Sequence, residues 1–254
     1  MPARLSRRFA GKVAIVTGAA QGMGKQVAVD MAAEGANVVI SDIIPDILEK
    51  TKVEIEQAGS TCLAVVCDVS SRKQIEEMIK KTVDRFGTVD ILINNAGLLL
   101  PGTIEEMTDD IIDRTLDINV KGVLYAIRAV TPIMKAKNYG RIVNVASITG
   151  KNGDNSTFPV YGASKGAVIT LTRSMARALG PFGVTVNAIA PHAVMTTMMS
   201  YWDDAKKKSI SDRIPVKRLG TVDDMSYLMM FLASDESSFI TGETININGG
   251  YYMD

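Results

Sequence analysis

The chain has 254 residues, with Lys plus Arg and Asp plus Glu balanced at 28 each. That length suits one α/β domain with a large core, and the neutral balance gives no global attraction to nucleic acid or to an anionic membrane. No apolar run reaches membrane-spanning length, and two unpatterned cysteines with a single histidine form no recognisable zinc site, so a metal-free cytoplasmic protein is expected.

Residues 1–10 read as a short tail before one domain over residues 11–254. Arginines are frequent in residues 1–9, but Gly11-Lys12 interrupts the apolar segment that a secretory leader needs. Short, nearly continuous apolar runs follow at residues 13–16, 37–41, 62–66, 90–93, 141–146, 184–189 and 244–247, as expected of parallel strands buried on both faces. Helical patterns lie between them at residues 22–34, 45–57, 71–86, 109–136, 161–180 and 222–233. This alternation predicts an α/β fold: a single-domain, doubly wound Rossmann-type parallel sheet of about seven strands with helices on both faces. Cys62 and Cys67 lie an odd number of residues apart on the third strand, hence on opposite faces, and cannot pair with each other. Residues 195–217 stand outside the rhythm and hold Trp202, several methionines and Lys206-Lys207-Lys208. By composition that stretch is a surface helical excursion with a solvated lysine run.

The first strand runs into Thr17-Gly18-Ala19-Ala20-Gln21-Gly22-Met23-Gly24 and then a helix. Backbone amides at such a helix N-terminus can receive a pyrophosphate, and glycines let it approach closely. The spacing is G-x-x-x-G-x-G rather than G-x-G-x-x-G. A glycine turn can also be a plain connection, but strand, turn and helix stand in the order that nucleotide binding requires.

Tyr161-Gly162-Ala163-Ser164-Lys165 places a phenol and an ammonium one turn apart on a helix face. A free tyrosine titrates at about 10, and a fixed neighbouring cation favours its phenolate, which makes Tyr161 a proton carrier for alcohol and ketone chemistry. Ser147 falls at the end of the fifth strand, where open α/β sheets hold ligands, and can donate to a substrate oxygen. Asn119 sits inside the long fourth helix, where a mediocre helix former suggests a task; bonding to buried backbone is the other reading. His192, the only histidine, is assigned no proton role.

Together these residues resemble the short-chain dehydrogenase/reductase family. The likeness runs from about Ala10 to the C-terminus. It includes the glycine turn, Asp68-Val69, Asn94-Asn95-Ala96-Gly97, Asn119, Ser147, Tyr161-x-x-x-Lys165, Pro191 with Thr196, and Asn248-Gly249-Gly250. It implies that Tyr161 exchanges the alcohol proton while hydride passes to or from a nicotinamide. Lys165 would lower the tyrosine pKa and bind the nicotinamide ribose, and Asn119 would anchor a proton-relaying water. The implied cofactor contacts are Gly18, Gln21, Gly22, Met23, Gly24, Asp42, Asp68, Val69, Asn95, Ala96, Gly97, Tyr161, Lys165, Pro191, Val194 and Thr196. Residues 195–217 become a substrate lid. The assembly becomes a homotetramer joined by the fourth and fifth helices and by the last helix and strand.

Asp42 closes the second strand, where an acid bonds both ribose hydroxyls of NAD and repels a 2′-phosphate. Gln21 stands where NADP-using relatives often carry a basic residue, so NAD is the expected cofactor. Substrate contacts are expected from Ser147, Thr149, Asp154, Tyr161, His192 and Trp202. Two departures from the family pattern fall there. His192 replaces the usual glycine after Pro191. The interval from Ser147 to Tyr161 is also longer than the commonest spacing and holds Lys151-Asn152-Gly153-Asp154-Asn155. The leading expectation is an NAD-dependent alcohol dehydrogenase or ketoreductase acting on a compact, polar secondary alcohol or ketone. One alternative is a reductase of 3-oxoacyl thioesters, such as those on acyl-carrier protein, which usually uses NADPH. The other is a non-catalytic nucleotide sensor, which the presence of both Tyr161 and Lys165 disfavours.

Overall fold

The apolar runs form strands without polar alternation because both faces of the sheet are covered. The computed structural model describes residues 7–153, 157–196 and 202–254, and within these one parallel sheet has seven strands. They are β1 (Val13–Thr17), β2 (Asn37–Asp42), β3 (Cys62–Val66), β4 (Ile91–Asn94), β5 (Gly140–Val145), β6 (Val184–Pro191) and β7 (Thr244–Ile247), in the spatial order β3-β2-β1-β4-β5-β6-β7. The helices are α1 (Gly22–Ala33), α2 (Pro45–Gln57), α3 (Arg72–Phe86), α4 (Asp109–Leu116), α5 (Gly122–Lys137), α6 (Thr149–Asn152), α7 (Pro159–Leu179), α8 (Asp204–Arg213) and α9 (Val222–Ala233). In β1, Ala14 and Val16 enter the core beneath α1, α2 and α9, while Ile15 enters the core beneath α3, α5 and α7. Cys62 and Cys67 divide between the same two cores, as their spacing predicts, and burial pushes their thiols up to about 12 and about 11. Strand order reverses between β1 and β4, which opens a crevice at their C-terminal ends.

Four features differ from the sequence reading. The fourth helix is not one α-helix: α4 and α5 are joined by a π-helical turn, Asp117–Lys121, that carries Asn119. Within it Asn119 bonds to Leu98 in the loop after β4, and π-helical turns are frequent at functional sites. α7 begins at Pro159, two residues early, because proline's fixed φ suits the first helical turn. α6 appears in a stretch that carries no strong apolar period, whereas α8 forms within the helical excursion expected at residues 195–217. Finally, part of the expected tail is anchored: Phe9 is buried in the α1 side of the core and Arg8 Nε donates to Glu34 Oε2 at 2.6 Å. No helix among the described residues is long and apolar enough to cross a membrane.

Candidate active site

The turn after β1 is laced to the end of β4. Asn95 Nδ2 donates to Thr17 O at 3.0 Å and Gly18 O at 2.9 Å, and Thr17 Oγ1 accepts from the amides of Asn95 and Ala96. Gly18 takes a positive φ of 64°, and a Cβ there would stand 2.8 Å from Ala96 Cα. Gly24 has a different role from the one expected: its Cβ would meet Gly18 O at 2.3 Å, so its lack of a side chain lets α1 pack against the turn, and it does not reach the crevice. Gln21, at the N-cap of α1, makes no side-chain cap, so the first-turn amides are left available to an anion. Asp42 ends β2; its carboxylate accepts from Ala20 N at 3.1 Å and Ile43 N at 2.7 Å and faces the same crevice. The Asp68 carboxylate holds the amide and hydroxyl of Ser70.

Ser147 lies just beyond β5, nearly buried, with its hydroxyl accepting from Thr149 N at 3.2 Å. Starting α7 at Pro159 puts Tyr161 and Lys165 on consecutive turns near its N-terminus. Lys165 Nζ stands 5.8 Å from the Tyr161 ring centroid and donates to Val145 O at 2.7 Å. Burial brings the Lys165 pKa down to about 8, so the amine still carries charge at neutral pH. Asn119 is fully buried and does not line the crevice. Its Oδ1 accepts from Leu98 N at 2.7 Å, and its Nδ2 donates to Leu98 O at 2.9 Å and Ser164 Oγ at 3.0 Å. Ser164 Oγ in turn donates to Tyr161 O at 2.7 Å. Asn119 therefore ties the loop after β4 to the turn that carries Tyr161. Deeper in, Asn94 Nδ2 donates to Asn144 Oδ1 at 2.8 Å, and Asn144 Nδ2 to Thr172 Oγ1 at 2.9 Å, which fixes α7 against β4 and β5.

These groups share one cavity of about 1100 Å³. Of the cofactor residues expected from sequence, Gly18, Gln21, Gly22, Met23, Asp42, Asp68, Val69, Asn95, Ala96, Gly97, Pro191, Val194 and Thr196 line it, together with Tyr161 and Lys165. Of the substrate residues, Ser147, Thr149, Tyr161, His192 and Trp202 line it; Asp154 and residues 197–201 of the expected lid lie outside the described residues. Among the described residues no cluster of His, Cys, Asp and Glu is arranged to hold a metal.

Among the lining residues that sequence reasoning gave no role at the site are Arg114 and Tyr251, and Lys206 and Arg213 fall within the expected lid without having been singled out. Tyr251 stacks on His192, with ring centroids 3.9 Å apart and planes 19° from parallel. The chain beyond β7 is held for this by Asn248, which accepts from Gly250 N and donates to Tyr252 O, both at 2.9 Å, and by Lys151, which pairs with Asp254 at 2.7 Å. Tyr251 and Trp202 also pack against Ala193, Ile210 and Ile214, a small apolar cluster separate from both sheet cores. The missed cations had one legible signal, the helical spacing of Lys206, Ser209, Ile210 and Arg213, all of which line the cavity.

Comparison with known proteins agrees with this geometry. A family model described as Enoyl-(Acyl carrier protein) reductase matches residues 18–252. The chain is 40% identical over 243 residues to the 3-oxoacyl-[acyl-carrier-protein] reductase FabG of Staphylococcus epidermidis, covering 95% of this chain and 99% of that protein. It is 38% identical over 242 residues to the (2S)-[(R)-hydroxy(phenyl)methyl]succinyl-CoA dehydrogenase subunit BbsD of Thauera aromatica, covering 94% and 96%. The solved structure of a 3-oxoacyl-[acyl-carrier protein] reductase from Brucella melitensis superposes with a TM-score of 0.94 at 32% identity, over 99% of this chain and 95% of that one.

Proposed function

The chain belongs to the short-chain dehydrogenase/reductase family, and from that premise we propose that it interconverts 3-hydroxyacyl and 3-oxoacyl thioesters with NAD(H). The observation that carries the thioester reading is the near full-length likeness to two relatives named for acyl thioesters, one on a carrier protein and one on coenzyme A. That likeness reverses the order expected from sequence, which put a compact polar alcohol first.

A nicotinamide dinucleotide supplies the hydride chemistry in this family, and the residues present fit one. The α1 N-terminus is uncapped by side chains, a Cβ at Gly22 would meet nothing closer than Thr196 at 3.7 Å, and the Asp42 carboxylate faces the cavity. Gly18, Gln21, Gly22 and Met23 would receive the pyrophosphate, Asp42 the adenosine ribose, and Lys165 the nicotinamide ribose. Ser147 donates to the substrate oxygen and Tyr161 exchanges its proton, with the Lys165 ammonium favouring the phenolate. Asn119 holds the backbone of Tyr161 in place. We take the assembly to be a homotetramer, in which Tyr227 of α9 and Phe239 before β7, both exposed here, are covered by another subunit.

Asp42 sets the cofactor. Asp42→Ala is expected to lower kcat/KM with NAD(H) about tenfold, the loss of charged hydrogen bonds, and to narrow the gap to NADP(H). Steady-state kinetics with both cofactors test this, and an unmodified enzyme that used NADP(H) equally well would remove the assignment. His192 and Tyr251 are expected to set the shape of the acyl pocket. Loss of a stacked pair in His192→Gly should shift the ranking among thioesters and simple secondary alcohols about fivefold without abolishing turnover. An unchanged ranking across that panel would return His192 to the scaffold.

A further inference from the structure

We propose that the mouth of the cavity binds the phosphates of a coenzyme A carrier, on Arg114 of α4 and on Lys206 and Arg213 of α8, apart from the dinucleotide cradle at α1. The inference rests on the thioester reading and names the carrier. α8 turns Lys206, Ser209, Ile210 and Arg213 toward the cavity, a single helical face on which the two cations stand about 10 Å apart along the axis. The lysine run is thereby divided, since Lys207 pairs with Asp204 at 3.4 Å and Lys208 with Asp212 at 2.9 Å on the outer surface. Arg114, in the last turn of α4, lines the same cavity.

The side chains of Arg114 and Arg213 make no hydrogen bond or ion pair among the described residues, whereas Arg8, Arg72, Arg141 and Arg218 are each held by a carboxylate. The acids of the cavity wall are engaged instead: Asp117 with Lys121 at 2.6 Å, Asp42 with backbone amides, and Asp68 with Ser70. Cations aimed into a cavity whose acids are already partnered form an anion site. A guanidinium fork matches phosphate oxygens, and coenzyme A carries a pyrophosphate and a ribose phosphate that need several cations at separate places. With the acyl group at Ser147 and Tyr161, the pantetheine arm leads these phosphates out to the mouth. A carrier protein brings one phosphate on its own folded surface and makes less use of three cations inside a cavity wall.

The test compares one 3-oxoacyl group carried on coenzyme A, on N-acetylcysteamine (which has no phosphate) and on acyl-carrier protein. The coenzyme A ester should exceed the N-acetylcysteamine ester in kcat/KM at least about tenfold, and rising salt should shrink that ratio. Arg114→Gln and Arg213→Gln should each cut the ratio about fivefold, Arg213→Glu should cut it further, and Arg213→Lys should restore part of it. Both arginines are exposed, so folding is not at stake. A ratio unmoved by the Gln variants overturns the proposal. An equal rise in KM for the nicotinamide cofactor, or a loss confined to the carrier-protein ester, also overturns it. Turnover of the N-acetylcysteamine ester with no coenzyme A advantage removes the phosphate site alone, whereas no turnover of any thioester removes the proposed function with it.

Discussion

Tyr161→Phe is expected to lower kcat about a thousandfold while leaving affinity for the nicotinamide cofactor within about twofold. The substitution removes one oxygen from a ring that lines the cavity beside Ser147 and leaves the ring itself. A positioned proton donor or acceptor contributes about 10²–10⁴ in rate, and among the described residues His192 and Lys165 are engaged elsewhere. The only histidine is stacked on Tyr251, and Lys165 is occupied by Val145 O at 2.7 Å. The backbone of Tyr161 is held through Ser164 and Asn119, so the helix keeps its position when the hydroxyl is lost. Cofactor titration by fluorescence and single-turnover kinetics separate the two effects. A Phe variant that retained a tenth of kcat would show that the proton travels another way.

The strands were legible because burial on both faces leaves an unbroken apolar run, and a sheet of such runs needs no information from elsewhere in the chain. The glycine turn and Tyr161 with Lys165 were legible because each is a local arrangement along one element. Long-range features were not. Asn119 of the π-helical turn bonds to Leu98, and a buried asparagine gives no hint of its partner. Gly24 read as a phosphate-approach glycine, yet its missing side chain serves the contact with Gly18 O. Tyr251 reaches the cavity only through the path of the chain after β7, which Asn248 and Asp254 hold by contacts that no periodicity encodes. α8 fell within the expected helical excursion, but which of its residues face the cavity was not legible, because its inner face is half cationic and lacks a clear apolar stripe.

Lys165→Met is expected to abolish useful turnover, by at least about a hundredfold, and yet to raise the stability of the cofactor-free protein. The lysine is buried, and burial alone takes its pKa from 10.5 down to about 8. Below pH 8 the folded protein must hold a charged ammonium out of water, while the unfolded chain hydrates it freely. Between pH 8 and 10.5 the folded state has released the proton and the unfolded state has not, so unfolding takes up a proton and stability rises with pH. The whole interval corresponds to about 3 kcal/mol of stability absent at pH 7 and regained by pH 11. Methionine has a similar length and no charge, so at pH 7 the variant should melt roughly 6–10 °C higher, less whatever the bond to Val145 O contributes. The difference from the unmodified protein should shrink steadily as pH rises through 8 toward 10.5. Calorimetry of both proteins across that range checks the sign as well as the size. A constant difference would mean that the fold leaves the pKa of the amine unshifted, and a less stable variant at every pH would mean that its hydrogen bond outweighs its desolvation. On the expected outcome, the group that favours the Tyr161 phenolate is also one of the costliest in the fold, and function rather than stability accounts for its presence.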